Sequence, residues 1–230
     1  EGVSITPAQA REPMGMAKLE HIKAVLRMPA VQEKWQTHKG QPGGDADADR
    51  MYEKFLPLQK RVLVDHSKVI PGAVETAQWC AEHDIQVGGT TGYTRELMEI
   101  VLPLAAEQGY QPQVSLAAED APAGRPAPWM IFEIAKQFGV YPLTHCVKVD
   151  DTIVGIEVGR DAGCWTVGVT KSGNEVGLSE AEVTAMPPAE LEERVARATA
   201  KFQANGAHFV IESVAEIPSV VKQINQLLAK

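Results

Sequence analysis

The chain has 230 residues, 44% of them hydrophobic and 23% charged, and carries a formal net charge of −8 at pH 7. Such a composition belongs to a globular protein with room for one medium domain, or for a core with a smaller attachment. The acidic balance counts against nucleic acid or an anionic membrane as a general partner, since both reward clustered Lys and Arg, but not against a small anion held in a local positive pocket.

Residues 5–60 are predicted to be helical. Thr6-Pro7 is an N-cap and first-turn pair, and Met14, Leu19, Ile22, Val25 and Leu26 recur at mostly helical spacing. Residues 40–49, rich in Gly and Asp, read as a loop before a further helix through Met51, Phe55 and Leu58. After Val69-Ile70-Pro71-Gly72 the pattern changes, and short apolar runs alternate with helical stretches. Strands are expected at 85–90, 113–117, 146–150, 165–170 and 208–212. Helices are expected at 93–108, 126–138, 153–162, 179–185 and 188–204, with a last one from Pro218. Ser179 with Glu182 forms a capping-box pattern, and Asn205-Gly206 is a helix stop. Alternation of this kind implies an α/β fold: a doubly wound parallel sheet over residues 66–230, preceded by an all-helical unit over residues 1–65.

No apolar run reaches the length of a membrane span, and no basic start followed by an apolar stretch marks a signal peptide. Cys80, Cys146 and Cys164 are odd in number and lack metal-ligand spacing, so they read as thiols of a reducing cytoplasm. His38, His66, His83, His145 and His208 also lack the mutual spacing of a metal site.

Ligands of open α/β sheets sit beyond the carboxyl ends of the strands, which makes the residues after each strand the ones to read for chemistry. Gly89-Thr90-Thr91-Gly92-Tyr93-Thr94-Arg95 combines glycines, hydroxyls and a helix start. That suits a phosphate cradle, or a plain turn with its N-cap. In Gly124-Arg125-Pro126, the proline can fix the backbone so that Arg125 clamps a phosphoryl group; the alternative is a surface arginine in a stiffened loop. Val147-Lys148-Val149-Asp150-Asp151-Thr152 is an apolar strand ending in two acids. Their mutual repulsion calls for a cation such as Mg²⁺ nearby, and a helix N-cap accounts for only one of them.

Five runs then point to a family: Pro13-Met14-Gly15-Met16-Ala17-Lys18-Leu19-Glu20-His21, Thr90 to Arg95, Pro122-Ala123-Gly124-Arg125-Pro126, Trp165-Thr166-Val167-Gly168-Val169 and Asn205-Gly206-Ala207-His208-Phe209. In these, and in order from the first residues to the last, the chain resembles the phosphonoacetaldehyde hydrolases of the haloacid dehalogenase-like superfamily. The resemblance implies a Rossmann-like core under a small helical cap, a homodimer, and Mg²⁺-dependent cleavage of the carbon–phosphorus bond of phosphonoacetaldehyde to acetaldehyde and phosphate. It places the imine-forming lysine at Lys18, with Met14 and His21 as its cap companions and Tyr93 as an active-site tyrosine. It assigns Thr91, Gly92 and Arg125 to the phosphoryl group, and Asp151 to the metal. By spacing alone Lys18 reads as a solvated helix lysine; with His21 three residues on and Met14 a turn before, all three are expected on one helix face.

The chemistry requires such residue types. A C–P bond has no good leaving group until an imine on a lysine supplies an electron sink, so that carbon departs as an enamine. That lysine must be neutral, hence of lowered pKa.

Two departures stand beside the likeness. The superfamily's nucleophilic aspartate lies in an Asp-x-x-Gly-Thr-like motif after the first core strand, and no such motif occurs in these 230 residues; Asp45-Ala46-Asp47-Ala48-Asp49 is placed in the polar loop instead. The sequence is therefore expected to begin inside the cap, short of roughly 20–30 residues holding one central strand and the motif, and a chain without them is not expected to complete the reaction. Relatives also carry an acid four residues after the one matching Asp151, where this chain has Gly155; Asp150 is expected to supply the second carboxylate. A phosphate-monoester hydrolase of the same superfamily and a non-catalytic phosphate-binding module are the competing readings.

Overall fold

The structure, a computed structural model, describes residues 1–229. It opens with four helices: α1 (Pro7–Arg11), α2 (Lys18–Arg27), α3 (Pro29–Lys39) and α4 (Asp45–Leu63). Thr6 caps α1 as its sequence predicts, accepting from Gln9 N while Gln9 reaches back to Thr6 N. Met14 departs from expectation. It lies in the turn between α1 and α2 rather than on a continuous helix with Lys18, since α1 ends at Arg11 and α2 starts only at Lys18, with Gly15 in a left-handed backbone (φ +97°) between them. The acids of residues 45–49 depart as well: they open α4 instead of lying in a loop. Asp45 and Asp47 occupy its first turn, and Asp47 accepts from Gly44 N at 2.9 Å, so both carboxylates complement the positive end of the helix. Leu26, Trp35 and Ala48 form a local core, with Leu19, Ile22 and Met51 against it.

The rest is α/β. Helix α5 (Ala73–Glu82), which the sequence pattern does not mark, leads into β1 (Gly88–Thr90) and α6 (Arg95–Glu107). Then follow β2 (Val114–Leu116), α7 (Trp129–Phe138), β3 (Val147–Asp150), α8 (Ile153–Ala162) and β4 (Trp165–Val169). The chain continues through α9 (Glu180–Ala185), α10 (Pro188–Ala204), β5 (Phe209–Ile211) and α11 (Ile217–Leu228). Ser179 and Glu182 form the expected capping box, and Gly206 takes a positive φ just past α10.

All strand pairs are parallel, in the orders β1-β2 and β3-β4-β5. Central β4 is the most completely buried strand, with Val167 and Val169 packed on Ile217, Val220, Val221 and Ile224 of α11. Those four recur at i, i+3, i+4 and i+7, one apolar stripe, and full burial contributes about 1.5–3 kcal/mol for each such side chain. The expected parallel sheet thus comes as two pieces, since β1 and β3 share no register. What joins them at their carboxyl ends is side chains: Arg125 donates to Thr90 O at the end of β1 (2.5 Å) and to Asp150 at the end of β3 (3.3 Å).

Candidate active site

The strand ends and the first turn of α2 come together through Gly15 against Thr152 and Gly92 against Met16. Asp150 closes β3 and is buried together with Arg125. One of its carboxylate oxygens accepts from Thr152 N (3.0 Å) and Thr152 Oγ1 (2.7 Å); the other accepts from Lys148 Nζ (2.7 Å) and Arg125 (3.3 Å). Burial alone would raise its pKa, but Lys148, Arg125 and these hydrogen bonds outweigh it and hold the group at about 2. Arg125 also donates to Thr90 Oγ1 at 2.8 Å, while its Nε is buried without a partner, a donor free to meet an anion. Lys148 belongs to this cluster, and sequence reasoning misses it. The available signal is a lysine inside an apolar strand, two residues before Asp150 and so on the same side of it.

Asp151 differs from its neighbour. It accepts from Asn174 N at 2.9 Å and pairs with no cation among the described residues, and burial together with the charge of Asp150 raises its pKa. Its residue surface nonetheless stays open to solvent. A carboxylate so placed suits a divalent cation. No group of three or more His, Cys, Asp or Glu that could hold a metal occurs among the described residues. Mg²⁺ is compatible with that, since it commonly takes one or two carboxylates and fills its shell with water and substrate oxygens. Gly155 now has a reason. A Cβ there would stand 1.8 Å from Asp150 Cγ, so the Asp150 carboxylate occupies the room a side chain at 155 would need.

Lys18 is the first residue of α2, and its Nζ lies 5.0 Å from the centre of the Tyr93 ring. Burial lowers its pKa, and the positive end of the helix at which it sits disfavours the ammonium further. One turn on, His21 Nε2 lies 2.9 Å from Ala10 O. A carbonyl can only accept, so Nε2 carries the hydrogen and Nδ1, buried without a partner, keeps its lone pair. Burial, and then the charge of Lys18, hold the His21 pKa down against the opposing pull of the Ala10 bond.

Thr91 Oγ1 accepts from Tyr93 N at 3.1 Å, which closes the turn after β1. Gly92 lies against the carbonyl of Met16. The expected residues Lys18, His21, Tyr93, Thr91, Gly92, Arg125, Asp150 and Asp151 therefore lie around the strand ends and the start of α2, whereas Met14 lies in the turn after α1 with its N–H on Arg11 O.

This parallel α/β core beneath a helical unit is the architecture of the haloacid dehalogenase-like hydrolases, whose family profile matches residues 3–163. Phosphonoacetaldehyde hydrolase of Paraburkholderia phytofirmans is 45% identical over 229 residues, covering 100% of this chain and 86% of the relative. That of Bacillus thuringiensis subsp. konkukian is 43% identical over 225 residues, covering 98% and 85%. The crystal structure of a phosphonoacetaldehyde hydrolase-like protein from Oleispira antarctica superposes with a TM-score of 0.96 at 41% identity, covering 99% of this chain and 83% of that one. The chain belongs to the phosphonoacetaldehyde hydrolase family of the haloacid dehalogenase-like hydrolases. A β-phosphoglucomutase from Clostridium difficile, at 16% identity and a TM-score of 0.66, shares the fold alone.

Proposed function

We propose that the protein hydrolyses the carbon–phosphorus bond of phosphonoacetaldehyde, giving acetaldehyde and phosphate, with Lys18 as the imine-forming residue. The observation that carries this reading is Lys18 itself: a half-buried lysine of lowered pKa, over an aromatic ring and one turn before a histidine with a free lone pair. A plain phosphomonoesterase has no use for such an amine.

His21 Nδ1 takes the proton that Lys18 must lose. The neutral amine adds to the aldehyde carbon, and loss of water leaves a protonated imine on Nζ. As the C–P bond breaks its electron pair flows into that imine and carbon leaves as an enamine, while phosphorus passes to a carboxylate nucleophile, whose Asp-x-x-Gly-Thr-like motif these 230 residues do not hold, and water then hydrolyses the acyl phosphate to phosphate. Protonation of the enamine and attack of water release acetaldehyde and restore the amine. Arg125, with its unpartnered Nε, and the turn Thr91-Gly92 hold the phosphoryl oxygens. Tyr93 orients Lys18. Asp151 would ligate Mg²⁺, with Asp150 adding negative charge beside it, and the metal would offset charge on the phosphoryl oxygens. Asp150, held by Arg125, Lys148 and Thr152, is not free to act as the phosphoryl acceptor.

Borohydride reduction in the presence of phosphonoacetaldehyde tests the reading, because imine capture needs no phosphoryl acceptor. A stable adduct mapped to Lys18, absent in Lys18→Met, is the expected result. A folded chain that forms none would return the site to a phosphatase or a phosphate-binding module. We also place the protein in the cytoplasm as a homodimer. The exposed Leu58 and Val62, one turn apart on α4, support a self-association face, and no described helix is long and apolar enough to cross a membrane.

A further inference from the structure

The turn that delivers Lys18 rests on glycines. A Cβ on Gly92 would stand 2.6 Å from Met16 O, one on Gly124 would stand 3.3 Å from Ala17 Cβ, and one on Gly15 would stand 2.6 Å from Thr152 Oγ1. Gly15 needs its left-handed backbone in any case. Gly92 and Gly124 do not: neither has a positive φ, so an L side chain is conformationally acceptable at both. The turn that faces them excludes a side chain at Gly92 and crowds one at Gly124.

We propose that Gly92 and Gly124 are positioning residues, whose missing side chains let residues 15–17 lie directly on the loops after β1 and before α7 and so set Lys18 over Tyr93. Ala17 is the N-cap of α2 and Lys18 its first residue, so a displacement at Met16 or Ala17 passes directly into the position of Nζ. The Gly92 contact is against backbone and cannot be relieved by a rotamer. The Gly124 contact meets a single methyl and is milder.

Because this role presupposes that Lys18 forms the imine, one readout of its test is independent of turnover. Competitive acetylation across pH, read by peptide mass, gives the titration of Lys18; borohydride trapping with phosphonoacetaldehyde gives its reactivity. In Gly92→Ala, with folding verified by circular dichroism, the Lys18 titration moves up toward that of an ordinary lysine and trapping slows by about tenfold or more. Gly124→Ala shifts both in the same direction by a smaller factor, and the double variant Gly124→Ala/Ala17→Gly, which moves the methyl across the contact, restores them. Rescue is what separates this role from a loop that merely needs glycine. An unchanged Lys18 titration in folded Gly92→Ala overturns the proposal, as does a Gly124→Ala effect that is absent or not reversed by Ala17→Gly. Should Gly92→Ala not fold, the Gly124/Ala17 exchange decides alone. Wild-type protein that traps no substrate would sink the imine reading, while the acetylation titration would still test the seat.

Discussion

Two half-buried lysines of the candidate site are treated in opposite ways. Lys148, with Arg125, meets a carboxylate, the Thr90 hydroxyl and backbone carbonyls, and Asp150 at the centre of that cluster has both oxygens occupied. Lys18 meets an aromatic face, with His21 one turn along α2, and the burial that lowers its pKa is the cause that acts on it. The satisfied cluster ties β1 to β3 and sets the floor of the site. The unsatisfied lysine is held in a state that costs stability and favours reaction, a division expected wherever function and stability compete.

The largest way to break this contrast is on the satisfied side. Asp150→Ala leaves Lys148 and Arg125 buried without their counter-charge and should cost about 3–5 kcal/mol, read by urea unfolding at pH 7. In the wild type the same contribution has a pH signature. The Asp150 pKa is depressed to about 2, so its stabilisation is present above the ordinary aspartate pKa of about 3.9 and is lost as pH falls toward 2. An acid unfolding profile that Asp150→Ala leaves unchanged would show that Asp150 does not anchor the cluster. Next comes Gly155→Ala, which puts a methyl into the Asp150 carboxylate and should cost about 1–3 kcal/mol; most of that cost should vanish in the Asp150→Ala background, where the room exists.

The smallest effect lies on the unsatisfied side and has the opposite sign. Lys18→Met should abolish the borohydride adduct yet stabilise the fold by about 1 kcal/mol at neutral pH. The folded-state pKa of Lys18 is lowered, so below it the folded protein must carry a buried ammonium, a cost relieved only as pH rises through that pKa. The gain in Lys18→Met should therefore shrink toward high pH. A destabilised Lys18→Met at pH 7 would mean that the ammonium has a partner after all.

Most of the α/β part is legible in the chain, because a fully buried strand such as Trp165–Val169 and an amphipathic helix such as Ile217–Leu228 announce themselves by period alone. The first four helices are less so. Gly and Asp at residues 40–49 suggest a loop, and only the docking of Asp45 and Asp47 at a helix start makes them the opening of α4. Met14 misleads for the converse reason: its apolar spacing suggests a helix continuing to Lys18, whereas α1 ends at Arg11 and α2 begins only at Lys18. The candidate site was legible through the family likeness and the strand-end rule, whereas Lys148 is an ordinary strand residue until β3 is set beside Arg125 and Thr90.

By itself the sequence determined the parallel α/β class, the strand ends that carry chemistry and the residue types gathered there, because burial periodicity and side-chain chemistry are local properties. Only the tertiary structure decided which of those charges are neutralised. Whether Asp150 is paired and Asp151 open, whether Lys18 loses its water, and why position 155 has no side chain depend on groups brought within a few ångströms from distant parts of the chain. Electrostatic cost is set by those neighbours, and no spacing along the sequence encodes them.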